Sequence, residues 1–131
     1  GEAVRAIAPS AGFDVSLPIE QMEGWVASIH AALRGIGLSV FQTYGHVADG
    51  NLHLVVGYPA DQPEQKKRIN YLVYRSIGDL GGSVSAEHGV GLEKKPYLAL
   101  SRSPAEIALM RSLKAAIDPH GLLNAGRIFD A

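Results

Sequence analysis

Apolar positions recur along the chain with two different periods, and the changes of period divide it into elements. After Pro18, residues Ile19, Met22, Val26, Ile29, Leu33 and Ile36 fall at the three- and four-residue steps of an amphipathic helix. Pro18 suits the first turn of that helix, and Gly35 and Gly37 end it. Beyond them the period falls to two. Residues 39–47 and 51–58 read as the arms of a β-hairpin around Asp49-Gly50, with Leu52, Leu54, Val56 and Tyr58 on an apolar face. Gln42, Tyr44, Asn51 and Val55 share the other face with His46 and His53. A second helix is predicted from the capping sequence Asp61-Gln62-Pro63-Glu64, burying Ile69, Leu72, Val73, Ile77 and Leu80 before Gly81-Gly82 stops it. A third follows Ser103-Pro104-Ala105-Glu106, with Ile107, Met110, Leu113 and Ile117 inward and Asp118-Pro119-His120-Gly121 as its close. A short extended segment at Phe13-Asp14-Val15-Ser16 precedes the first helix, and the Gly-bounded residues 83–91 form a short strand or turn.

The order strand, helix, strand, strand, helix, strand, helix predicts an α+β fold. It is expected to be a ferredoxin-like antiparallel sheet with helices on one face, plus a C-terminal helix and tail. At 131 residues, 47% of them hydrophobic, and without repeats or low-complexity tracts, the chain is expected to be a single domain over residues 1–131. No run of 18 apolar residues suggests a membrane span. A net charge of −1 with scattered cations gives no nucleic-acid footprint. Residues 1–5 lack the basic start and apolar core of a signal peptide, so a cytoplasmic location is expected. Lys66-Lys67-Arg68 and Lys94-Lys95 read as solvated faces, Trp25, Tyr71 and Tyr74 as core aromatics, and His30 and His120 as residues without co-ligands.

Zero cysteines exclude disulfides and thiolate metal sites, leaving His, Asp and Glu as possible ligands. If Asp49 and Gly50 are the two central residues of a type I′ turn, His46 falls directly opposite His53, with Cβ atoms about 4.5–5.5 Å apart. With Glu87 as a third ligand, they would make a His₂–carboxylate set with an open position, as in catalytic zinc. The alternative is a solvated hairpin whose histidines are only neighbours. Glu87-His88-Gly89 likewise reads either as a carboxylate and imidazole aimed inward or as an ordinary exposed turn.

Together the ordered motifs GHVADGNLH, SAEHGVGLEKKPYL and DPHGLLNAGRIF resemble the C-terminal domain of FAD-linked oxidases of the vanillyl-alcohol oxidase type, over about residues 14–129. The subgroup is that of D-lactate dehydrogenase, D-2-hydroxyglutarate dehydrogenase and the glycolate oxidase flavin subunit. The resemblance implies His46, His53 and Glu87 as ligands of a divalent metal, expected to be zinc. It implies His88 as the active-site base and Asn124 as a neighbour of the isoalloxazine, with Asn51 on the histidine face as a substrate contact. The implied reaction oxidises a small D-2-hydroxy acid to the 2-oxo acid, with His88 removing the hydroxyl proton, hydride passing to FAD and the metal polarising the substrate. FAD would be bound mainly by an N-terminal FAD-binding domain that these residues do not contain, so the chain is expected to be a fragment inactive alone.

Phe13 stands where many relatives have lysine before Asp-Val-Ser, and Val55 where many have asparagine; both are expected on the substrate side. Ala48 and Ala125 replace a common glycine and proline, and an arginine often found just before Glu2 is absent or cut away. These departures bear on substrate recognition. Two other classes fit the residues alone: a non-catalytic ligand-binding or dimerisation domain, and a metal hydrolase activating water. An exposed edge strand makes a homodimer a further expectation.

Overall fold

The computed structural model describes residues 9–130; the reading of residues 1–5 lies outside them. Three strands, β1 (Ser10–Ser16), β2 (Phe41–His46) and β3 (Asn51–Gly57), form an antiparallel sheet in the order β1-β3-β2. Strand alternation gives the sheet one apolar face: Ala11, Phe13 and Val15 of β1 lie buried with Leu52, Leu54 and Val56 of β3. Two helices, with Leu17, Leu38 and Val84 from the connecting segments, supply the rest of the core. From α1 (Ile19–Gly35) come Met22, Trp25, Ile29 and Leu33, and from α2 (Glu64–Asp79) come Ile69, Val73, Tyr74 and Ile77. The helices are also joined by a polar link, in which the Trp25 indole N–H donates to Ser76 Oγ at 2.9 Å and Ser76 Oγ donates to the Val73 carbonyl at 2.8 Å. His30 keeps a structural role, hydrogen-bonded to Thr43 Oγ1 at 2.8 Å. Tyr71 departs from the expectation, since it projects from α2 into solvent.

The hairpin forms with a different loop. Val47–Asp49 is a single 3₁₀ turn and Gly50 is left-handed at φ 67, so Tyr44 pairs with His53 and His46 with Asn51. The expected direct opposition of His46 and His53 is therefore wrong by two positions. A slip of two keeps every side chain on its original face, so the histidines still share one. A tertiary contact selects the longer loop: Gly50 accepts the Leu17 N–H at 2.9 Å, and a Cβ at Gly50 would stand 2.5 Å from the Leu17 carbonyl oxygen. That contact locks the hairpin tip against the junction of β1 and α1.

Residues 83–91 contribute one antiparallel bridge, Ser16 to Ser83, rather than a full fourth strand. It lies on the outer edge of β1, the place the last strand of a ferredoxin-like sheet would take. The backbone N–H groups of Glu87 and His88 turn instead to the Asp14 carboxylate, and that of Ala86 is shared between this carboxylate and the Asp14 carbonyl, so no longer ladder forms.

Helix α3 (Pro104–Ile117) has the predicted capping box, with Ser103 Oγ accepting the Glu106 N–H at 3.2 Å and Glu106 accepting the Ser103 N–H at 2.7 Å. Its apolar side is not inward as expected. No residue of α3 is buried, Leu113 is 54% and Ile117 75% exposed, and Leu122 and Leu123 of the tail are exposed as well. The core face of the sheet is already covered by α1 and α2, and the opposite face is polar. No helix among the described residues is long and apolar enough to cross a membrane.

Two glycines of the sheet differ sharply. A Cβ at Gly45 would fall 2.2 Å from the Asn51 carbonyl oxygen, a backbone atom that cannot rotate away, whereas one at Gly12 would meet nothing within 4 Å. Gly45→Ala is expected to lower the unfolding free energy in urea by about 2 kcal/mol or more, and Gly12→Ala by under about 0.5 kcal/mol. Similar midpoints for the two variants would contradict the packing of β2 on β3.

Candidate active site

The polar face of the sheet carries Gly12, Asp14 and Ser16 from β1, Gln42, Tyr44 and His46 from β2, and Asn51, His53 and Val55 from β3. Asp14 pairs in register with His53 on the central strand and is only 2% exposed. A carboxylate in that position must be compensated. Its Oδ2 accepts the backbone N–H groups of Ala86, Glu87 and His88 at 3.2, 3.1 and 2.9 Å, and the Ser85 hydroxyl at 3.3 Å. The Lys94 ammonium donates to the same oxygen at 3.1 Å, to the Asp14 carbonyl at 3.0 Å and to Ser85 Oγ at 3.0 Å. Burial pushes the Asp14 carboxyl up, but the N–H groups of His88 and Glu87 and the Lys94 ammonium together outweigh it and hold the group at about 2.

Lys94 is thus buried and committed, against the expectation of a solvated lysine. Lys95 is also engaged, donating to the Gly126 carbonyl at 2.9 Å and pairing with Asp130. Lys66, in the basic run of α2, pairs with Glu93.

The segment tied down by Asp14 delivers the predicted residues to the face. His88 stacks on His53 with ring centroids 5.6 Å apart, and Tyr44 tilts against His53 at 5.3 Å. The Nδ1 atoms of His53 and His88 each lie 3.9 Å from an Asp14 oxygen, a charge contact too long for a hydrogen bond. The buried Asn51 amide donates to Glu87 Oε1, and His46 Nδ1 stands 3.6 Å from that same oxygen. Asn51 Oδ1 is buried without a partner.

His46, His53 and Glu87 each offer a ligand atom within 4.8 Å of the other two, as do Asp14, His53 and His88. The chemistry separates the two groups. The five donors on Asp14 all converge on Oδ2, and the Lys94 ammonium among them already neutralises this nearly buried carboxylate, so a second cation there would face an uncompensated positive charge, although Oδ1 takes only a second contact from the Glu87 N–H at 3.2 Å. Glu87 is half exposed, keeps its second oxygen, and is steadied by Asn51 in the manner of an outer-shell ligand partner. The first set fits a divalent ion with nitrogen and oxygen ligands.

Beside the histidines opens a pocket of about 370 Å³, lined by residues 12–14, Tyr44, His53, Val55 and residues 88–94. The His88 side chain is 67% exposed at this opening, so a flat ring can lie against it. Asn124 lies elsewhere: it has φ 50 in the tail and lines a separate cleft with Arg111, Lys114 and His120. Phe13 borders the histidine pocket, but its ring turns away from it. It packs edge-on against Tyr74 in the core at 5.3 Å, and Gly12 takes the place beside Val55 on the polar face.

Sequence reasoning missed Asp14, Lys94 and Gly12. Asp14 carried a signal, being a carboxylate in an otherwise apolar alternation at Phe13-Asp14-Val15. Lys94 carried none, because its burial depends on a loop with no periodicity.

The family described as FAD linked oxidases, C-terminal domain, matches over residues 5–128. The mitochondrial D-2-hydroxyglutarate dehydrogenase of Danio rerio is 41% identical over 112 residues, covering 86% of this chain and 21% of the relative. The D-2-hydroxyglutarate dehydrogenase of Stutzerimonas stutzeri is 38% identical over 125 residues, 90% of this chain and 27% of the relative. An uncharacterized FAD-linked oxidoreductase of Mycobacterium tuberculosis is 40% identical over 85 residues, 65% of this chain and 18% of the relative. The chain spans about a fifth to a quarter of the length of these relatives.

Replacing Asp14 tests the assembly of the face. Asp14→Asn sets an amide N–H₂ among N–H donors and leaves Lys94 buried without its counter-charge, which is expected to cost about 3–5 kcal/mol. Hydrogen exchange at amides 86–88 should quicken well before that of α1. Unchanged protection at those amides would remove Asp14 from its anchoring role.

Proposed function

The chain belongs to the family of FAD linked oxidases, C-terminal domain, and on that premise we propose that it is the substrate- and metal-binding part of a flavin-dependent dehydrogenase that oxidises a small D-2-hydroxy acid to the 2-oxo acid. The observation that carries this reading is the meeting of His46, His53, Glu87 and His88 on one face, at the edge of an open pocket. When bound, FAD supplies the acceptor for the hydride leaving the substrate carbon, and a divalent ion held by His46, His53 and Glu87, for which zinc is our choice, supplies positive charge beside the substrate oxygens.

The protein's own groups do the rest. His88 takes the hydroxyl proton onto its ring as the O–H bond breaks, a task for which an uncharged imidazole offers a nitrogen lone pair. Its aim is fixed through the backbone, since its N–H is bound to Asp14. His53 stacks behind it and limits rotation of the ring. Asn51 holds Glu87 through its amide and, being buried, serves the substrate through that carboxylate rather than by contact. Asn124, exposed in its left-handed turn, is assigned to the isoalloxazine.

The flavin-binding domain is proposed to cover the apolar residues Leu109, Leu113 and Ile117 of α3 with Leu122 and Leu123 of the tail, all exposed here. Without it the chain is expected to bind no flavin stably and to be inactive.

Elemental analysis of protein purified without added metal checks the ligand set: His46→Ala and His53→Ala should each lose most of the metal held by the parent, and equal content in all three would end the assignment. In the flavin-loaded full-length protein, His88→Asn is expected to slow flavin reduction by a D-2-hydroxy acid about 10²–10⁴-fold. Flavin content should stay unchanged. Reduction at the parental rate would transfer the role of base to another group.

A further inference from the structure

We infer that the substrate of this site bears an uncharged, apolar side chain and not a second carboxylate, an inference that rests on the reaction proposed above. The pocket has two ends. At one, His53 and His88 gather over the Asp14–His53 pair; at the other, the next pair on the same face is Gly12 with Val55. Two strand residues separate the pairs, about 6.5–7 Å, so a substrate held by its hydroxyl and α-carboxylate at the histidine end projects its remaining carbons over Gly12 and Val55.

That far end is built for carbon. Val55 is buried but takes no part in the core cluster under the sheet, and Gly12 leaves open space, since a Cβ there meets nothing within 4 Å. Val90 and the exposed Leu92 complete the apolar lining.

The charges around the pocket are each accounted for. Among the described residues lining it, Lys94 is the lysine, and its three N–H bonds go to the Asp14 carbonyl, the Asp14 carboxylate and Ser85. Glu93 pairs with Lys66, and Asp14 is surrounded by donors. His53 and His88 stand at the reacting end. A second carboxylate would therefore lose its water over Gly12 and Val55 and find no free cation in this wall. An aliphatic group meets no such cost. The relatives from Danio rerio and Stutzerimonas stutzeri are named for D-2-hydroxyglutarate, which has that second carboxylate. The wall of this chain fits a monocarboxylic D-2-hydroxy acid instead.

The test uses the flavin-loaded full-length protein with two acids of the same main-chain length, D-2-hydroxyisocaproate and D-2-hydroxyglutarate, and follows flavin reduction. The parent is expected to favour the aliphatic acid by about 100-fold in kcat/KM. Gly12→Lys, which sends an ammonium into the open space, should shift that ratio toward D-2-hydroxyglutarate by at least about tenfold. A parent that prefers D-2-hydroxyglutarate, or a ratio unmoved by Gly12→Lys in protein with normal flavin content, overturns the inference and leaves the reaction standing. Flavin reduced by neither acid, nor by D-lactate, overturns the reaction itself and the inference with it.

Discussion

The site is organised by one buried carboxylate and the donors that surround it. Asp14 sits on the polar face of the edge strand β1, covered by residues 85–94 so that water does not reach it, and folding must supply every hydrogen bond it gives up. The nearest unsatisfied N–H groups belong to residues 86–88, and gathering them pulls a loop without ladder hydrogen bonds across the polar face. Lys94 closes the arrangement from the far end of the loop. Glu87 and His88 are therefore placed by backbone bonds to an acidic residue more than 70 positions earlier in the chain, and their side chains stay free for chemistry. A carboxylate is suited to this, because a neutral acceptor could not hold both the lysine charge and several amides.

What could be read from the sequence follows from the range of the forces involved. The helices α1 and α2 were legible because 3.6-residue periodicity and the Gly stops are local properties of the chain, and the capping box of α3 is a four-residue motif that forms without tertiary help. The sharing of a face by His46 and His53 was legible because strand parity survives an error in the loop. The loop itself was not, since the Leu17 N–H that captures Gly50 lies more than 30 residues away. The same limit hid the fourth strand's reduction to a bridge and the burial of Lys94. Phe13 was misplaced by a single position, and in a strand one position is the opposite face.

Helix α3 shows where sequence and isolated structure part. Its Ile107, Met110, Leu113 and Ile117 have the spacing of a buried stripe, yet the sheet beside it has no apolar face left to offer. Amphipathic periodicity reports that a helix has a partner, not that the partner lies in the same domain. The tail is tied back to the site loop by the Ile128 N–H to the Gly91 carbonyl at 3.0 Å and by Lys95 with Asp130. Whatever settles on α3 and the tail thus has a mechanical connection to the segment that carries Glu87 and His88.

The four-residue connection at 47–50 has a consequence for how this domain can change over generations. The β2–β3 register, not the length of that connection, keeps both histidines on their face, and a residue gained or lost at the tip is absorbed in the loop so long as His46 stays opposite Asn51. A slip of that register by one residue, with β3 held by β1, would turn His46 toward Phe41 and the helices while His53 stayed behind, dismantling the ligand pair without touching either histidine. A descendant that kept the scaffold and abandoned the metal chemistry would therefore be marked by the pairing of β2, not by the length of its hairpin tip.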